Sequence, residues 1–540
     1  MAFPETPAIR SQLADAAERH AAGLRAGDAK TKTQLERLAR VVLSDCNQPE
    51  KYLGFVMVQL GNLTRREQFL SVPFSRRLLL HPAGENGSAA TLSPLIQRAA
   101  RLGYQVVAAD ATRQLLGSLF EGRVDAVLGL ATLEDLERAF DHPVLSGVAS
   151  FAVPLPTRTV IQDDLEGSWL TDVLATHVAG AMPESDGYLL AIRAAARLFG
   201  EDFERLLPRI YSRTPAGAKS ALGLTENVAY DWLANGGKRF RPFITLAAFD
   251  AASGQSHASK SPDGQPFSDS VCRVAMAIEA FHKASLVHDD IQDDDLFRYG
   301  RETLHRSQGL GPAINIGDYL IGLGYRLVNS CRGDLGSDVA SDIIESMSQA
   351  HLHLCDGQGA EMAWRDHPDW SLSPADAVQM YALKTSPAFE AALSAGLRMA
   401  GPSSQYAETV RQFCRELGVG FQIVNDLGDW AGDSNNKLVA GQDALALRPT
   451  VLLALALEAA NEGQRREIRE TFESSAEDGE RLEQLRRLFT ELGAFEAARQ
   501  LAEGARRRAQ QLADGVQPAR LRSLFQFLLE TVLPAESIGL

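Results

Sequence analysis

Strand-like sequence ends near Gly187, and from there to the C-terminus the segments carry a helical period. Stretches rich in Ala, Leu, Glu and Arg, such as DSVCRVAMAIEAFHKASLVH and SDIIESMSQAHLHLCDG, are separated only by short Gly, Pro, Ser and Asp breaks. This part reads as one large all-α helical bundle. The preceding part reads differently. Between Arg77 and Pro156, the short apolar runs RLLLHPA, YQVVAAD, DAVLGLA and GVASFAVPL alternate with the helix-like LSPLIQRAARLG and RQLLGSLFEG. That alternation predicts a small α/β domain with a parallel sheet. The irregular, acidic stretch from Ile161 to Asp186 marks the boundary, giving residues 1–185 as the α/β domain and 186–540 as the bundle. A chain of 540 residues exceeds what one core serves, which agrees with such a division.

A net charge of −15 with no polybasic stripe argues against nucleic-acid binding and against an anionic membrane surface. No run approaches the ~20 apolar residues of a membrane span. The five cysteines (Cys46, Cys272, Cys331, Cys355, Cys414) form no CxxC pair and read as reduced thiols of a cytoplasmic protein. The polar N-terminus lacks the apolar core of a secretory signal.

The chemistry concentrates in two acidic clusters. Asp289, Asp290 and Asp293 follow the apolar approach Leu286-Val287-His288, and Asp289 and Asp293 share a helix face. Carboxylates crowded there repel unless a cation lies between them, and hard oxygen ligands suit Mg²⁺. Taken alone, this cluster reads first as a solvated acidic face or helix end, because short acidic motifs match by accident. The second cluster, Asn425-Asp426-Leu427-Gly428-Asp429, follows the apolar GVGFQIV and repeats the spacing. Two such clusters facing one another in a bundle would clamp a metal–diphosphate assembly. Lys238, Arg239, Arg241, Arg298, Lys384, Lys437 and Arg448 are the cations available to such an anion, although each singly also reads as surface charge.

GGKRFRP, DDIQDDDLFRYGRETLH, GPAINIGDYL, YALKTS and GFQIVNDLGDW, in that order, resemble the motifs of the trans-isoprenyl diphosphate synthase (polyprenyl synthetase) family. The resemblance spans Gly187 to Leu540. It implies a prenyltransferase that condenses an allylic prenyl diphosphate with isopentenyl diphosphate, using three Mg²⁺ ions, in a homodimer. It implies metal binding by Asp289, Asp293, Asn425 and Asp429, with Asp290 and Asp426 as supporting members of the two motifs. Lys384, Lys437, Arg298 and Arg448 fall where the family holds the allylic diphosphate. Lys238, Arg241 and His282 fall where it holds the homoallylic diphosphate, and Gln422 falls near the reacting centre. Ser285 and Ala284 occupy the positions whose bulk limits chain length, with Phe281 one turn deeper. Their small size implies a product of geranylgeranyl length or longer.

Three positions depart from the family pattern. Tyr299 replaces a second arginine, Asn425 replaces an aspartate, and Arg448 replaces a lysine. These departures keep two alternatives open. One is a class I terpene synthase on the same scaffold, for which Asn425, Asp429 and Asp433 offer a metal-triad spacing. The other is a weakly active regulatory subunit that binds a prenyl diphosphate. The N-terminal part is faintly similar to an uncharacterised bacterial α/β domain that is usually cysteine-rich. Here it retains Cys46 alone and is expected to act as a structural, regulatory or docking module. Its HPAGENGSAA segment reads as an ordinary surface loop or an anion cradle.

Overall fold

The computed structural model describes residues 2–21, 32–82, 88–108, 123–134, 136, 148–155, 168–178, 188–210, 223–254, 266–368, 370–431 and 441–538. The chain divides into two compact units, Met1–Arg193 and Ala194–Leu540, a few residues beyond the boundary expected from composition.

The first unit is built on a four-stranded parallel sheet. Its strands are β1 (Arg77–His81), β2 (Gln105–Ala108), β3 (Ala126–Thr132) and β4 (Ala149–Leu155), in the spatial order β2-β1-β3-β4. These are the four apolar runs of the sequence. Of the helix-like segments between them, the first forms α4 (Ser88–Leu102), and RQLLGSLFEG lies outside the described residues. One core gathers Phe69, Leu79, Leu128, Phe151 and Val153. Another is formed under α1 (Pro7–Ala21), α2 (Lys32–Asp45) and α3 (Leu53–Ser71), where Leu13, Val42, Phe55 and Val56 meet Ala131 and Ala152. Asn62 of α3 closes the free edge of β4. Its amide nitrogen donates to the Ala152 carbonyl at 2.7 Å, and its amide oxygen accepts from the Ala152 N–H at 2.8 Å. An edge strand so paired offers no template at that residue.

The second unit is all-α apart from a two-residue-strand hairpin, among the described residues. The helices that frame the site are α5 (Leu224–Ala234), α6 (Phe240–Ala252), α7 (Asp269–Gln292), α8 (Leu310–Ser330), α9 (Ser337–Asp366), α10 (Pro374–Ala400), α11 (Ala407–Ala431), α12 (Val451–Ala459) and α13 (Ala494–Asp514). Local chemistry starts two of them cleanly. The Ser268 side chain accepts the Val271 N–H at the start of α7, and Ser373 with Asp376 forms a capping box on α10. Helix α7 packs along α6 and α8, α9 along α10, and α10 along α6 and α11. The α6–α10 approach is close enough that a Cβ on Gly396 would sit 2.3 Å from the Thr245 carbonyl oxygen. Among the described residues, no helix is long and apolar enough to cross a membrane.

Candidate active site

Both acidic clusters sit at helix C-termini, where the backbone dipole already concentrates negative potential. Asp289 and Asp290 lie in the last turn of α7, and Asp293 is the residue at which that helix ends. Asp426 and Asp429 lie in the last turns of α11 and are each 2% exposed. Carboxylates in such positions demand cations, and the fold supplies them.

Arg298 serves the first cluster, with its Nε donating to Asp290 Oδ1 at 2.7 Å and its Nη2 to Asp295 at 3.0 Å. Arg365 of α9 donates to Asp293 Oδ1 at 3.2 Å and to the Gln292 carbonyl at 2.9 Å. Arg448 reaches the other Asp293 oxygen at 3.2 Å and lies 3.5 Å from Asp443. The Asp443 N–H in turn donates to Asp429 Oδ2 at 3.2 Å. A continuous chain of polar contacts therefore joins the end of α7 to the end of α11. Lys384 of α10 donates to Glu361 Oε2 of α9 at 2.6 Å.

The electrostatics follow from this crowding. Burial pushes Asp290 up to about 7, against the pull of Arg298. Burial also raises Asp289; Lys384 opposes the shift and Asp293 adds to it. Burial works against the charge on Lys384, yet Glu361 and Asp289 outweigh it and hold that amine above its usual range. Arg448 is likewise raised against burial, by Asp443 and Asp293. Each side of the site stabilises the charge of the other.

The second cluster is anchored from α10. The buried Tyr381 hydroxyl donates to Asp426 Oδ2 and accepts the Val451 N–H at 2.7 Å, where α12 begins. Gln422, one turn before Asp426, contacts it and Thr385 only at 3.5 Å, the outer limit of a hydrogen bond. Asn425 is exposed. Lys437 and Asp433 lie outside the described residues.

A third group of residues lies around the turn before α6. Lys238 is exposed, Arg241 stacks 5.1 Å from the Phe389 ring centroid, and His282 of α7 lies within the electrostatic reach of Arg241. Burial, reinforced by Arg241, holds His282 well below its usual pKa, so it is neutral. Arg239 pairs with the buried Glu279 at 3.1 Å and stacks on Phe199. Deeper along α7, Ala284 and Phe281 are buried, and the Ser285 hydroxyl bonds back to the His282 carbonyl at 2.8 Å. Phe281 meets His351 of α9 edge-on, with ring centroids 5.2 Å apart.

Sequence reasoning missed Gln358, Glu361 and Arg365, yet the pattern carried a signal. The three are spaced to share one face of α9, a polar stripe aimed at the end of α7. It also missed Tyr381 and Asp443, whose roles depend on partners distant in sequence.

The donor set fits Mg²⁺. The candidate ligands are oxygen atoms, as a hard cation prefers. Asp290 Oδ2, Gln358 Oε1 and Glu361 Oε1 are buried without a hydrogen-bond partner among the described residues. Among those residues, no three His, Cys, Asp or Glu side chains are gathered to hold a metal alone. Mg²⁺ characteristically takes one or two carboxylates and completes its shell with water and substrate phosphate oxygens.

Residues 224–489 match the family model described as polyprenyl synthetase. The chain is 28% identical over 302 residues to a short chain isoprenyl diphosphate synthase of Methanothermobacter thermautotrophicus, an alignment covering 56% of this chain and 87% of that protein. Among solved structures it resembles the geranylgeranyl pyrophosphate synthetase of Pyrococcus horikoshii, with a TM-score of 0.53 and 25% identity, over 64% of this chain and 98% of that one. The Corynebacterium glutamicum geranylgeranyl pyrophosphate synthase, solved with isoprenyl diphosphate and magnesium, shares the fold at 22% identity and a TM-score of 0.52, over 64% of this chain and 98% of that one.

Proposed function

Because the C-terminal two-thirds of the chain belongs to the polyprenyl synthetase family, we propose that it condenses an allylic prenyl diphosphate with isopentenyl diphosphate to give a longer trans-prenyl diphosphate. The observation that carries this reading is the linkage of the two acidic helix ends through Asp293, Arg448, Asp443 and Asp429. Family members use Mg²⁺. Here three ions held by Asp289, Asp293, Asn425 and Asp429 would supply Lewis-acid charge to the leaving diphosphate.

The chain's own residues do the rest. Lys384, Arg298 and Arg448, with Lys437, neutralise the allylic diphosphate, exchanging their carboxylate partners for phosphate oxygens as charge develops. Asp290 and Asp426 support the two motifs, and Arg365 and Tyr381 hold Asp293 and Asp426 in place. Lys238, Arg241 and neutral His282 hold isopentenyl diphosphate beside the allylic carbon, near Gln422. The apolar helical interior excludes water, which would otherwise quench the allylic cation. The double bond of isopentenyl diphosphate attacks, and the proton lost passes to the departing diphosphate. With Ala284 and Ser285 small, the product reaches geranylgeranyl length or beyond. The enzyme works as a cytoplasmic homodimer, with the first unit as a structural, regulatory or docking module.

Tyr299 and Asn425 favour a second reading, cyclisation of a prenyl diphosphate without a homoallylic partner. Incubation with Mg²⁺ and geranyl, farnesyl or geranylgeranyl diphosphate, with and without isopentenyl diphosphate, separates the two. Longer diphosphates that require isopentenyl diphosphate are expected. Hydrocarbons or alcohols formed without it would replace this reading with the cyclase. Binding of the allylic diphosphate with no turnover would indicate the regulatory subunit.

A further inference from the structure

Tyr299 stands where charge is expected, but its surroundings give it other work. It lies with Gly300 in the two-residue loop of a hairpin whose strands, β5 (Phe297–Arg298) and β6 (Arg301–Glu302), are antiparallel. Both loop residues have positive φ, +57° for Tyr299 and +75° for Gly300, as in a type I′ turn. Asn or Asp is the favoured residue at the first of those positions, and an aromatic residue there is strained. Something must offset that strain.

The ring supplies it. Tyr299 packs against the turn Asn235–Gly237, which leads directly into Lys238 and Arg241. A Cβ on Gly236 would lie 2.7 Å from Tyr299 Cδ2, and one on Gly237 would lie 3.4 Å from its hydroxyl. Both glycines have positive φ, so the turn has the shape and the clearance that the ring requires. The ring also meets Lys283, whose Nζ lies 4.3 Å from the ring centroid. Lys283 is fully buried, and the same Nζ donates to the Asn235 carbonyl at 2.7 Å and the Gly236 carbonyl at 3.0 Å. The ammonium thus meets two carbonyls and the Tyr299 ring, with the Trp232 ring centroid farther off at 5.7 Å. The neutral amine would still have two donors, enough for both carbonyls.

We propose that Lys283 and Tyr299 form a strut that positions the turn bearing Lys238 and Arg241, so that Tyr299 serves the homoallylic diphosphate site by packing and not by touching the anion. The pair are positioning residues for the isopentenyl diphosphate reading given above, on which the kinetic part of the test rests. The mechanical part does not depend on that reading. Tyr299→Phe keeps the ring and is expected to match the wild type in every assay. Tyr299→Ala and Lys283→Met release the turn. In the full chain, trypsin cleavage after Lys238 or Arg239, followed by fragment mass, is expected to accelerate about tenfold. The KM for isopentenyl diphosphate is expected to rise about tenfold, with the allylic KM and kcat within twofold, and Lys283→Arg is expected to recover part of the loss. Tyr299→Ala alters an exposed hairpin tip, so it reports even if Lys283→Met does not fold. Tyr299→Arg is the opposing test. The strut predicts a higher KM for isopentenyl diphosphate; a lower one would show that tyrosine is merely a missing cation and overturn the proposal. Unchanged cleavage in Tyr299→Ala would overturn it as well. A wild-type chain that never uses isopentenyl diphosphate would remove the elongation reading alone, leaving trypsin to decide the strut.

Discussion

Arg448 bridges Asp293, at 3.2 Å, and Asp443, at 3.5 Å, and so ties the end of α7 to the segment that follows α11. Two helix C-termini with clustered carboxylates would repel across a shared space. The arginine holds them together, and the charges it neutralises are those the proposed metals and diphosphate would exploit.

Replacing Asn425 by aspartate tests whether that end of α11 takes part in metal binding. Asn425 is exposed, so Asn425→Asp adds a charged ligand with little steric cost. The Mg²⁺ concentration for half-maximal diphosphate release should fall by roughly three- to tenfold. An unchanged metal titration would remove Asn425 from the ligand set.

Tyr381 joins Asp426 to the first N–H of α12. In Tyr381→Phe the buried Val451 N–H and one Asp426 oxygen lose this partner, at a cost of about 1–3 kcal/mol for a buried group. Thermal unfolding should shift down by several degrees, and kcat should fall with it. Equal melting temperatures would mean that the hydroxyl is dispensable to the second acidic motif.

Ala284 is fully buried, one turn above Phe281, whose ring abuts His351. Ala284→Phe should shorten the prenyl product, read by mass spectrometry. Overpacking of this kind costs about 1–3 kcal/mol, so the melting temperature is measured alongside. A folded variant with an unaltered product distribution would place the chain-length limit elsewhere.

Lys283 gives a pH dependence of defined sign. Burial lowers it from 10.5 to about 7; Arg239, Arg301 and Arg298 push the same way, and Glu279 opposes them. Between those two values the unfolded chain binds more protons than the folded one, so native stability rises with pH across that window. The cost of charging the buried amine is fully present below about 7. Relative to Lys283→Met, wild-type unfolding free energy should therefore climb by up to ~1.4 kcal/mol per pH unit through the window. Urea unfolding monitored at several pH values checks this; a flat difference would mean that the amine titrates alike in both states.

The readable parts of this molecule were those in which partners are near in sequence. The four apolar runs became the four strands, and Asp289 and Asp293 announced a helix end because their spacing and apolar approach are local. Asn62 was not readable as an edge cap, because its partner Ala152 lies 90 residues away. Lys283 carries no local signal of its role, because the carbonyls it holds are 48 and 47 residues distant. Arg365 lay between these cases: its face of α9 was visible, but its target was not.

The central claim is that the ends of α7 and α11 act on one diphosphate as a single device. A double-mutant cycle on Mg²⁺-dependent diphosphate release, comparing Asp289→Asn, Asp429→Asn and the pair, tests it most directly. Each single variant should lose on the order of 10²-fold or more in kcat, and the double should lose little beyond the worse single, as groups acting as a unit do. Losses that multiply independently, or an Asp429→Asn variant with full activity, would contradict it.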